Sequence, residues 1–158
     1  MCSDMKKILI LFVAVFITLI SWAQTPERAQ HSYENFRSLL AAGATENDLY
    51  NSLYQCYDDN SAAVRTFPAV TSQYVAAKSA LTDIWPYLRN AATYYDQRGN
   101  RKRALQFSQA YVNIPTSPYF QEEHFVKDEF YPTMVFYAAS NTFNVGDHTL
   151  AIKYFQEY

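Results

Sequence analysis

Three features of this chain recur at one spacing, and that recurrence limits what it can fold into more than anything else in it. Gly99 is followed 47 residues later by Gly146, Ala104 by Ala151, and the pair Ala91-Ala92 by Ala138-Ala139. A single offset kept three times marks an internal repeat. In each copy, small residues come first, a glycine turn follows, and another alanine lies beyond it. Two helices joined by so short a turn must lie antiparallel.

The rest of the chain reads as helix. It has only three glycines but is rich in alanine, leucine, tyrosine and phenylalanine, a balance that suits helices with few tight turns. Thr25-Pro26-Glu27 combines a cap, a first-turn proline and an acid near the positive helix end. Ala29, Tyr33, Phe36 and Leu40 follow at helical spacing, and Gly43 stops them. Thr45 to Asp48 opens a second helix with the stripe Leu49, Leu53, Cys56, Asn60 and Val64, closed by Phe67-Pro68. A third is expected over 71–80. Asp83-Ile84-Trp85-Pro86 reads as a cap and first turn of another, in which proline's missing N–H costs nothing. That helix runs to Gly99, Asn100 caps its partner, and Ile114-Pro115 ends the pair. Asp128 to Pro132 opens the second copy. The expected organisation is N-terminal helices over 24–80, with 26–67 as a degenerate hairpin. A first hairpin over 81–115, a linker over 116–127 and a second, truncated hairpin over 128–158 complete it.

Ala91-Ala92, Tyr95, Gly99 and Ala104, then Ala138-Ala139, Gly146-Asp147, Ala151 and Phe155, resemble the tetratricopeptide repeat. Small residues there let helix axes approach, and aromatics fill the space beside the crossing. The resemblance covers residues 84 to 158. Ser108 and Thr142 depart from it, standing where the motif has an aromatic and a tyrosine. The 47-residue period exceeds the usual ~34, and the insertion over 116–127 accounts for the excess. What the resemblance implies is an all-α stack of antiparallel hairpins, a TPR-like α-solenoid, acting as a scaffold. Its concave face would present Arg89, Asn90, Thr93 and Gln97 from the first copy. The second copy would add Phe136, Tyr137, Ser140, Phe143 and Asn144. Those aromatics beside amide and hydroxyl groups suit an extended peptide or a partner helix. Packing of Phe136, Tyr137 and Phe143 against a following helix is the competing expectation, since aromatic stripes at helical spacing are usually core.

The first 23 residues carry a different signal. Lys6 and Lys7 precede an uninterrupted apolar run from Ile8 to Leu19-Ile20, and Ser21-Trp22-Ala23 supplies small residues before Gln24. This is the order of a secretory signal peptide, with a better start at Met5 than at Met1. The run falls short of the ~20 residues a membrane span needs. Gln24, where a lipid-anchored protein would carry cysteine, predicts a soluble periplasmic or secreted product of 135 residues with no stable span after cleavage. Removing Lys6, Lys7 and Asp4 takes the net charge from −2 to −3, which argues against nucleic acid as a partner. Cys56 is then the only cysteine, with no internal disulfide possible and a buried apolar role expected.

Catalytic and cofactor chemistry finds no foothold in the sequence. His31, His124 and His148 are scattered, and only His124 with Asp128, Glu122 and Glu123 hints at metal ligation, which needs three or four converging ligands. Asp58-Asp59 lacks the glycine and later glutamate of a calcium loop. No phosphate loop can be built from these glycines, and no cofactor is expected. Arg101-Lys102-Arg103 reads as a solvated face or a dock for an acidic partner. The leading expectation is an exported, non-catalytic scaffold that binds proteins or peptides. A chain stopping at Tyr158, which aligns with Tyr111, leaves the last helix short, so a longer exported enzyme such as a peptidase is one rival expectation. A glycan-binding protein of the outer membrane is the other.

Overall fold

The computed structural model describes residues 26–120 and 127–158, and every regular element among them is a helix. Residues 1–25, which hold the expected signal peptide, Gln24 and the expected cap Thr25, and the linker residues from Gln121 to Val126 lie outside the described residues. The helices are α1 (26–41), α2 (Glu46–Thr66), α3 (Ser72–Gln97), α4 (Arg101–Thr116), α5 (Tyr131–Asn144) and α6 (His148–Glu157).

Three of the connections are built alike. Gly43, Gly99 and Gly146 have φ of 63°, 71° and 90°, a left-handed conformation in which a side chain would be strained. At each, the glycine N–H reaches back three residues, and the next N–H reaches back five. Gly99 bonds Asp96 at 2.8 Å and Asn100 bonds Tyr95 at 2.9 Å, while Gly146 bonds Phe143 at 3.0 Å and Asp147 bonds Thr142 at 3.2 Å. These are Schellman closures, which satisfy carbonyls that a helix end otherwise leaves bare. Asn100 and Asp147 then accept from the backbone of Arg103 and Leu150 and so cap the following helices. The 47-residue offset therefore pairs positions with the same geometry. Ala91, Ala92, Ala104, Ala138, Ala139 and Ala151 are all fully buried.

One expected break is absent. Helix α3 runs from Ser72 to Gln97 without interruption, so the anticipated division near residue 80 falls inside a single helix and Pro86 is an interior residue. The reason is the apolar stripe. Ala77, Leu81, Ile84, Leu88, Ala91 and Tyr95 keep helical spacing straight across the proline, and each is buried. Their burial outweighs a cost of about 3 kcal/mol for an interior proline. Thr82, whose carbonyl loses its usual donor at position 86, lies on the exposed side.

Pro115, expected to end α4, also lies within its helix, one residue before the end. Its missing N–H deprives the Tyr111 carbonyl of a partner. The indole Nε1–H of Trp85 takes that place, donating to the Tyr111 carbonyl at 2.8 Å. The two rings also stack, 4.5 Å apart and 7° from parallel.

Helices pack both within hairpins and between them. Within hairpins, Asn35 donates to Ser52 across α1 and α2, and Tyr95 stacks on Phe107 across α3 and α4. Between hairpins, α1 meets α3 through Phe36 and Tyr87, ring centroids 5.4 Å apart. Helix α2 meets α4 through Tyr54 and Phe107 at 5.5 Å, and α4 meets α6 where Tyr154 donates to Asn113 at 3.2 Å. Consecutive helices of neighbouring hairpins meet as well, with Tyr50 of α2 against Tyr94 and Tyr95 of α3 at 5.1 and 6.0 Å. Ser108 and Thr142, the two departures from the repeat motif, are buried. The Ser108 hydroxyl donates to the Leu105 carbonyl, and Thr142 accepts from Gln109 at 3.1 Å, tying α4 to α5.

Burial of so many tyrosines has a consequence for pH. Desolvation, first, raises the hydroxyl pKa of Tyr111, Tyr131, Tyr137 and Tyr154, the last to about 12; nearby carboxylates add to the effect at the first three. Raised folded-state values stabilise the fold below the ordinary tyrosine value near ~10, and that contribution is lost as pH rises through the folded values. The melting temperature is therefore expected to hold on the acid side of that value and fall steeply above it. Tyrosinate absorbance at 295 nm should rise together with loss of helical circular dichroism; ionisation completed before unfolding would contradict this.

Candidate partner-binding face

Residues anticipated for a binding face divide into two sets. On α3, Asn90, Thr93 and Gln97 are exposed. They continue a line of exposed residues, Ser72, Ala76, Ser79, Asp83 and Pro86, spaced alternately by four and three along the same side of the helix. Asn90 accepts from Arg89 at 3.4 Å, and the Thr93 hydroxyl donates to the Arg89 carbonyl at 3.2 Å.

Arg89 itself is engaged inside the molecule. Its guanidinium donates to Asp128 at 3.1 Å and lies 4.2 Å over the Phe130 ring. Asp128 also accepts from the Tyr111 hydroxyl and from the Phe130 N–H at 3.1 Å. This carboxylate therefore ties the start of α5 to α3 and α4 at once. Asp128 was anticipated only as a metal-cluster member or helix opener; its structural role depends on partners 39 and 17 residues away.

On α5, Phe136 and Phe143 are 51% and 54% exposed, and Asn144 is exposed, while Tyr137 and Ser140 are half-buried. Packing accounts for part of each aromatic surface. Phe136 packs its edge on Phe155 and Tyr158 of the α6 end, with centroids at 6.1 and 5.6 Å. Phe143 lies 4.7 Å from the His148 ring. Half of each phenylalanine remains open. The Tyr137 hydroxyl is buried without a hydrogen bond of good geometry among the described residues, beside the Asp96 carboxylate.

Two other sequence features find internal uses. Arg103 bonds Asn51 of α2 and lies 5.2 Å from the Tyr95 and Phe107 rings, so the basic run at the start of α4 is partly consumed by packing. Cys56 is fully buried, and burial pushes its thiol up to about 12, far from the thiolate a nucleophile needs. Among the described residues, no three of His, Cys, Asp and Glu converge as metal ligands, and no helix is long and apolar enough to cross a membrane.

A cavity of about 720 Å³ was not anticipated. It opens between α1 and the first half of α3, with Asn60 of α2 also bordering it. The signal was present in Ala76, Ala77 and Ala80, whose small side chains leave room beside α1, but small residues alone do not separate a groove from a close helix crossing. Comparison with protein-family models, with curated proteins and with solved structures finds no match to this chain.

Proposed function

We propose that this chain is an exported, non-catalytic scaffold of tetratricopeptide type, whose odd-numbered helices together form a face that binds other polypeptides. The observation that carries the reading is that α1 and α5 both reach α3, α1 through Phe36 and Tyr87 and α5 through Tyr137 beside Asp96. It lets α1, α3 and α5 contribute to one side, where Asn90, Thr93 and Gln97 stand open beside α3's other exposed residues. The 47-residue repeat and its matched Schellman turns support stacking of similar hairpins in the manner of a helical solenoid. Half-open Phe136 and Phe143 supply the aromatic anchors typical of protein interfaces. The charge, apolar run and small-residue order of residues 1–23 supports export, and with it partners in the periplasm or outside the cell.

The test is affinity capture from the cell envelope with the parent chain and a Phe136→Ala/Phe143→Ala variant. The variant is expected to lose at least about tenfold in partner affinity, ~1.4 kcal/mol, while its thermal melt shifts little. Undiminished capture by a variant with a lowered melting temperature would assign both rings to packing alone.

A further inference from the structure

The groove between α1 and α3 offers more chemistry than its shape. Its walls are mainly apolar, built on Ala29, Ala76 and Ala80, and its volume of about 720 Å³ suits insertion of side chains from a partner. Charge around it is one-sided. Glu27 and Glu34 line it and are exposed, and Tyr33 in its wall donates to the Asp83 carboxylate. Among the described residues no lysine or arginine lines it. Of the two arginines nearest in sequence, both exposed, Arg28 pairs with Asp59 at 2.8 Å and Arg37 lies 6.0 Å from the Tyr33 ring.

Asn60 adds an independent observation. It borders the groove yet is only 2% exposed. Its Nδ2 donates to the carbonyls of Ala29 at 3.2 Å and Cys56 at 2.9 Å, which fixes the orientation of the amide. No hydrogen bond to its Oδ1 is found among the described residues, and this oxygen is not fully enclosed, so it can accept from a group entering the cavity.

We infer that the groove takes a lysine- or arginine-bearing segment of a partner polypeptide, whose cation sits between Glu27 and Glu34 and whose N–H groups serve Asn60 Oδ1. This rests on the polypeptide-binding reading above and names the chemistry of the partner. Acidic rims attract such a segment at long range, and the apolar walls receive the methylene stem of its side chain.

Fluorescence anisotropy on the whole chain decides it, with labelled octapeptides of alternating Ala-Lys, Ala-Arg, Ala-Gln and Ala-Glu as probes. The Lys and Arg peptides are expected to bind and to weaken with added salt, and the Gln and Glu peptides to bind at least about tenfold more weakly. Ala76→Trp, at an exposed position in the groove wall, should abolish binding, and Glu27→Lys/Glu34→Lys should weaken it by about tenfold or more. Ala76→Trp should keep the parent's melting temperature, and Glu27→Lys/Glu34→Lys should lower it only modestly, through the cation placed in the first turn of α1. Absence of Lys-peptide binding, equal binding of the Lys and Glu peptides, or unchanged binding by Ala76→Trp would overturn the inference. Sedimentation that shows a dimer dispersed by Ala76→Trp would overturn it too, in favour of a second copy as occupant. Charge-independent peptide binding lost on Phe136→Ala/Phe143→Ala would sink this inference while leaving the polypeptide-binding function standing.

Discussion

Replacing Trp85 by alanine should destabilise the protein by about 3–5 kcal/mol, the range for deleting a large buried aromatic. The informative result comes from Trp85→Phe. Phenylalanine keeps a ring to stack on Tyr111 but cannot donate, so the Tyr111 carbonyl, already deprived of a helical partner by Pro115, loses the indole donor as well. An orphaned buried carbonyl costs about 1–3 kcal/mol. Pro115→Ala restores an N–H one helical turn from that carbonyl. The double variant Trp85→Phe/Pro115→Ala should therefore recover much of the loss, with a coupling of about 1 kcal/mol in urea denaturation. Simple additivity of the two single changes would show that the indole contributes packing alone.

Asp128→Ala should have the second-largest effect, about 2–3 kcal/mol, since hydrogen bonds to a charged group contribute about 1.5–3 kcal/mol each and partial exposure of this site reduces that. The substitution leaves the half-buried Arg89 without its carboxylate and the Tyr111 hydroxyl without its acceptor. Because Asp128 is where α5 is fastened to α3 and α4, the loss should be local first. Hydrogen exchange is expected to speed up in α5 and α6 well before α1 to α3 change. A uniform acceleration over all six helices would contradict that assignment.

Legibility of the fold in the sequence followed from how local the causes were. Glycine turns and their caps are decided within six residues, and Gly43, Gly99 and Gly146 all mark helix ends in the structure. Apolar stripes were equally plain in α1, α2 and α4. Pro86 misleads because two local signals compete there. A cap and proline at positions 83–86 resemble a helix start, and the buried stripe through Leu81, Ile84 and Leu88 overrides them.

The candidate face was legible only in part, for a different reason. Asn90, Thr93 and Gln97 are open because helical periodicity puts them opposite Leu88, Ala91 and Tyr95, which a sequence can display. Arg89 was unreadable, since its partner Asp128 comes from another element. The groove beside Asn60 depends on three helices meeting, and no single stretch of chain announces it.

The three matched turns have a consequence for how such a chain can grow. Every bond that closes a turn lies within one helix–glycine–helix unit, so each hairpin carries the instructions for its own reversal. The segments between hairpins differ in length: residues 67–71 join the first two and residues 117–130 the last two. The 47-residue spacing thus measures hairpin plus connector, and what the copies share is the turn and the alanines packed beside it. Gene duplication or design can therefore lengthen the connectors freely while leaving the folding unit intact.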